Sequence, residues 1–269
     1  MLLVLIACTT STRDRVEPSF IHVNLADTST AGTAEAPLPF SSAPMSVAVS
    51  VTTYDVEGEP YPFAGELALK MRPGRLTAPA RIQMSDGAWS GNVSIEAGFG
   101  PTRIWATDED VTDDRTPSWS AGVSEPLTFA LPTIPEMQAT DNHETNQLAG
   151  EFAELRLNDR QVVVTGLDPA GFYVSDLGAA PGNYAGLYVY YFSKPPEDIV
   201  VGAQLTALNG QASKYLASTQ LNFPTYSVNP GVTLTPPAGY VLDEATACDD
   251  NEMEKLEGSR VRAELALIP

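Results

Sequence analysis

Three tyrosines are spaced so that they could act together. Residues 171–176 (GFYVSD) and 186–192 (GLYVYYF) alternate as β-strands do. Period-2 alternation puts Tyr173 opposite Phe172 and Val174, and it puts Tyr188, Tyr190 and Phe192 on one face. If the two strands are neighbours, Tyr173, Tyr188 and Tyr190 make a platform on which a base or a sugar can stack. The competing reading is that these rings pack under loops or simply suit strand surfaces.

The other chemistry-bearing groups are sparse. Residues 107–115 (TDEDVTDDR) cluster the carboxylates of Asp108, Asp110, Asp113 and Asp114, and clustered oxygens suit a hard cation such as Ca²⁺. The run lacks EF-hand spacing and contains Arg115, so a solvated loop between strands is the other reading. Of the two histidines, His22 reads with Trp105 as a strand residue, and His143 reads as a solvated linker residue rather than a ligand. There is no G-x-S-x-G, no P-loop and no H-E-x-x-H, so no catalytic set and no cofactor are implied.

Composition narrows the partners. The 269 residues carry 34 acidic and 15 basic side chains, a net charge of −19. Affinity for nucleic acid comes largely from Lys and Arg displacing counterions from phosphates, so this balance disfavours nucleic acid. A neutral glycan is a better stacking ligand than DNA, and a protein is the other partner expected. The only cysteines, Cys8 and Cys248, cannot build a disulfide framework.

Elements that must position these groups are mostly strands. Gly and Pro number 20 and 22, and no long window has helical periodicity, which predicts an all-β chain rich in turns. Strands are expected at 19–25, 46–54, 66–71, 80–84, 92–95, 102–107 and 123–131, the regular short spacing of a β-sandwich. Residues 132–147, with two prolines and mixed polarity, read as a linker. A second set begins with a long strand from Leu148, bent near Asn158 and Asp159. It continues through 171–176, 186–192, 204–208, 210–215 and 220–223, with glycines at its corners, as in a coiled five-stranded barrel.

Several motifs resemble known families. Leu5-Ile6-Ala7-Cys8, which ends the apolar run MLLVLIA and adds the cysteine, resembles the lipobox of bacterial lipoproteins. The resemblance implies a signal peptide at 1–8, lipidation of Cys8 as the mature N-terminus, a membrane anchor, and a tether at 9–17. Thr9, in place of Asp, implies the outer membrane. A buried N-terminal strand with an incidental cysteine is the alternative. Asp55, Gly58 and Pro60, the strand 63–69, and the run from Gly98 to Asp108 resemble bacterial immunoglobulin-like domains, implying an Ig-like sandwich over 18–131. The motifs GFYVSD, GLYVY, VGAQL-x-x-LNG and KYLASTQL are similar to the OB-fold module beside secreted DNase-I-like nucleases. MEKLEGSRVR at 253–262 resembles that module's closing element, so an OB-like barrel with a closing C-terminal segment is implied over 148–269. The histidines and acidic residues that catalyse in those nucleases have no counterpart motif here. The chain therefore reads as an Ig-like β-sandwich followed by an OB-like β-barrel, a non-catalytic binding or structural module on the cell envelope. The alternative is an accessory module that holds nucleic acid or glycan for a separate nuclease or hydrolase.

Overall fold

Alternation of apolar and polar residues builds most of the architecture. The computed structural model describes residues 18–25, 32–108, 119–140 and 142–263. Cys8, Asp110, Asp113 and Asp114 lie outside these residues. The fold is all-β, with three short helices among the described residues.

The first half is a two-sheet sandwich. Its strands are β1 (Pro18–Leu25), β2 (Met45–Asp55), β3 (Glu66–Arg72), β4 (Arg75–Ala78), β5 (Arg81–Gln83), β6 (Ala88–Glu96), β7 (Gly100–Thr107), β8 (Gly122–Val123) and β9 (Leu127–Phe129). One sheet runs β1-β2-β6-β4; the other runs β5-β3-β7-β8, with β9 also on β7. In β2, Val49, Val51 and Thr53 point inward and Ala48 points out. Val49 and Val51 meet Leu67, Leu69, Ile82, Val93 and Ile104 in one apolar cluster. Each such side chain, taken from water, contributes about 1.5–3 kcal/mol.

Two expectations for this half change. No strand is expected between 71 and 80, yet 75–78 is an edge strand on β6. The strand expected at 123–131 is two short pieces that pair with opposite ends of β7. Pro126 lies between them, and a residue without an N–H cannot continue a ladder.

Part of the expected linker 132–147 is ordered against the core: it holds α1 (Ile134–Gln138), whose N-terminus is closed by a capping box. The Thr133 hydroxyl accepts from the Glu136 N–H, and the Glu136 carboxylate accepts from the Thr133 N–H. Ile134, Met137 and Leu148 are buried in the core of the second half, which also takes in Ala97 and Phe99 of the sandwich. The segment is thus a plug at one end of the barrel, packed where the two halves meet.

The second half comprises β10 (Phe152–Glu154), β11 (Val162–Asp168), β12 (Gly171–Asp176), β13 (Gly186–Tyr190), β14 (Ala203–Tyr215) and β15 (Ser218–Thr233). The expected long first strand is broken: β10 pairs separately with β14, and a turn at 158–160 precedes β11. Five strands close as β11-β12-β13-β15-β14 and back to β11. Only the β13–β15 contact is parallel. This is an OB-like barrel, filled by Val162, Val164, Phe172, Val174, Leu187, Val189, Leu205 and Leu221. The two strands expected at 204–208 and 210–215 are one 13-residue strand. It bends past Gly210, where a Cβ would lie 2.7 Å from the Asn222 carbonyl oxygen.

Among the described residues, the tail supplies no barrel strand. It forms β16 (Tyr240–Leu242), α2 (Glu244–Ala247), α3 (Asp250–Lys255) and β17 (Val261–Ala263), with β16 and β17 paired in a two-stranded sheet of their own. It lies against the outside of the barrel. A Cβ on Gly186 would come within 2.2 Å of the Gly258 carbonyl carbon, so both segments need glycine at this crossing.

Candidate functional site

The pleat sends Phe172, Val174, Leu187 and Val189 into the barrel and leaves Tyr173, Tyr188 and Tyr190 half-buried on its outer face. Antiparallel register sets Tyr173 directly across from Tyr188, and the next strand sets Gln220 beside Tyr188 and Asn222 beside Tyr190. The three expected residues therefore come together. Ring centroids of Tyr173 and Tyr188 are 4.8 Å apart, and those of Tyr188 and Tyr190 are 6.3 Å apart.

One glycine makes room for this layout. Gly166, which faces Tyr173 on β11, would carry a Cβ at an ordinary contact distance of 3.5 Å from the ring, so the crowded position is the next one. Gly171 faces Tyr190, and a Cβ on it would sit 2.9 Å from the Tyr188 hydroxyl. That hydroxyl donates to Asp168 Oδ1 at 3.1 Å, and the same oxygen accepts from the Ala170 N–H in the β11–β12 turn. Burial, and then the bond to Asp168, raise the Tyr188 phenol well above its ordinary value. Burial, and then the Asp168 charge, raise Tyr173. Both phenols stay neutral throughout the physiological range, with their rings available for stacking.

The aromatic row is longer than the sequence suggests. The Phe192 ring lies 4.4 Å from Tyr190, and the Phe223 ring 4.8 Å from Phe192. Phe192 lies on the tyrosine face as alternation predicts. Phe223 was missed, because strict alternation from buried Leu221 would send it inward. A register shift between β14 and β15 near Asn209 and Gln211 turns it out instead.

Beside the rings runs a row of neutral polar groups. Gln220 Nε2 donates to Asn222 Oδ1 at 2.9 Å, and Asn222 Nδ2 donates to Ser213 Oγ at 3.0 Å. None of the side chains making this face is a lysine or arginine. Lys214, next along β14, is turned away and buried against Glu254 and Glu257. Past Asp168 the surface opens into a cleft of about 590 Å³ lined by Leu167, Pro196 and Val200 among others.

Elsewhere the candidate groups have structural partners. Asp108 accepts from the Trp119 N–H at 2.9 Å and so pins the start of β7's following loop to the chain that returns from it. Among the described residues, no three His, Cys, Asp or Glu side chains lie close enough together to hold a metal ion. His22 packs edge-on to Tyr54, and Trp105 pairs with Val123 in the second sheet. Cys248 is exposed and in no disulfide. A cleft of about 700 Å³ between the two halves is lined by Arg75, Glu96, Thr140, Asn146 and Tyr184 among others. No family model, curated protein or solved structure matches the chain.

Proposed function

We propose that this protein is a non-catalytic binding module of the bacterial cell envelope, anchored through lipid on Cys8, whose barrel holds a neutral glycan on Tyr173, Tyr188 and Tyr190. The observation that carries the reading is the outer barrel face, where a continuous row of rings lies beside the Gln220–Asn222–Ser213 row. The equivalent face of OB barrels serves oligosaccharides and oligonucleotides alike. Rings suit both ligands; the flanking groups separate them. Amides and hydroxyls donate to and accept from sugar hydroxyls, whereas a phosphate backbone calls for cations, and the chain's charge of −19 repels it. The lipid anchor rests on the resemblance of residues 5–8 to a lipobox.

Calorimetric titration with neutral oligosaccharides tests the face. Tyr190→Ala should weaken binding about tenfold, equivalent to about 1.4 kcal/mol. Salt-dependent binding of oligo-dT in place of any saccharide would overturn the glycan reading. Incorporation of labelled palmitate, lost in Cys8→Ser, tests the anchor; no incorporation in either protein would refute it.

A further inference from the structure

Phe192 and Phe223 are costly where they stand. Both take left-handed backbone angles, with φ of 64° and 51°. That region is unfavourable for a bulky side chain and is occupied only where the surroundings impose it. The conformation does not serve to bury the rings, which remain 51% and 60% exposed. Phe223 is sent outward by a register shift, so Asn222 and Phe223 face solvent in succession rather than alternately. Two strained phenylalanines thus meet outside the barrel, in contact with each other and, through Phe192, with Tyr190. Core packing explains neither position.

We infer that Phe192 and Phe223 are a second half of the binding platform, and that they extend it to hold several consecutive units of an unbranched neutral polysaccharide. The inference rests on the glycan reading above. A row of five rings, Tyr173 to Phe223, is longer than one sugar ring covers, and the polar row runs alongside it only as far as Asn222. The tyrosine end offers hydroxyls and amides to one part of the ligand; the phenylalanine end offers only apolar faces, suited to the C–H faces of further sugar rings. A second copy of this strongly acidic chain is a poorer occupant, because like charges oppose its approach.

The test compares short and long ligands on the full chain by calorimetry, using the disaccharides and hexasaccharides of cellulose, chitin and β-mannan. The parent should bind at least one hexasaccharide at least tenfold more tightly than its disaccharide. The double variant Phe192→Asn/Phe223→Asn uses a residue tolerant of left-handed angles, so it should melt near the parent while this preference falls towards one. Phe192→Tyr/Phe223→Tyr, which restores the rings, should restore the preference and guards against a merely misfolded Asn variant. Tyr190→Ala should weaken short and long ligands together. A preference that survives the Asn pair while Tyr190→Ala still weakens binding overturns the extension and leaves the tyrosine site standing. No saccharide binding by the parent overturns both. A parent that sediments as a dimer and becomes monomeric in the Asn pair would assign the phenylalanines to self-association and overturn the inference.

Discussion

Replacing Lys214 with Met should destabilise the protein by about 3–5 kcal/mol at pH 7, and most of that loss should vanish in acid. The Lys214 side chain is 7% exposed and lies 2.5 Å from Glu254, itself 6% exposed, and 3.4 Å from Glu257. It also donates to the Thr219 hydroxyl at 3.1 Å, while Glu257 accepts from the Thr219 N–H at 2.7 Å. The ammonium thus joins the β14–β15 hairpin to α3 and the turn after it. Burial already raises Glu254 above its ordinary value, with Lys214 opposing that shift. Without the ammonium, two carboxylates are left buried together. The cheapest escape is for Glu254 to bind a proton. Starting from an ordinary value of 4.5, protonation at pH 7 costs about 3.4 kcal/mol, at about 1.36 kcal/mol per pH unit. The folded variant then holds a proton that the unfolded chain releases. Its stability relative to the parent therefore falls as pH rises from about 4.5 to 7 and recovers as pH is lowered through the same window. Urea unfolding of both proteins at pH 4.5 and pH 7, followed by intrinsic fluorescence, measures the difference. A loss below about 1 kcal/mol at pH 7, or an equal loss at both pH values, would refute the account.

Three further changes probe other parts of the fold. Met137→Ala removes a fully buried side chain of α1 and should cost about 2–5 kcal/mol in the same unfolding assay; a loss under about 1 kcal/mol would return 132–147 to the status of a linker. Gly186→Ala forces a methyl against the Gly258 and Ser259 backbone. Overpacking of this kind costs about 1–3 kcal/mol, and limited proteolysis should begin to cut within residues 244–263. Tyr188→Phe loses the hydroxyl bond to Asp168 and should cost about 1 kcal/mol, because the half-exposed Asp168 keeps its bond to the Ala170 N–H.

Some features that alternation does not reveal still carry a local signal in the sequence. Thr133-Ile134-Pro135-Glu136 is a capping box with proline in the first turn. Its prolines and polar neighbours read equally well as linker, and a five-residue helix has no periodicity to weigh against that. Phe223 had no comparable mark. Its direction depends on how β15 shifts against β14, a relation between two strands that neither strand's own alternation records. The Lys214 cluster was equally hidden, since its carboxylates lie 40 and 43 residues away along the chain.

By itself the sequence determined the all-β class, the sandwich-then-barrel order and the shared face of Tyr188, Tyr190 and Phe192. Each follows from period-2 alternation and turn residues, which are properties of a few neighbouring positions. Tertiary structure alone decided which strands meet: the pairing of Tyr173 with Tyr188, the polar row of Gln220, Asn222 and Ser213, and the outward turn of Phe223. It also decided that 132–147 plugs the barrel and that the tail lies outside it. Those outcomes depend on closing the barrel, where register and close approaches such as Gly186 on Gly258 set contacts between residues far apart in the chain.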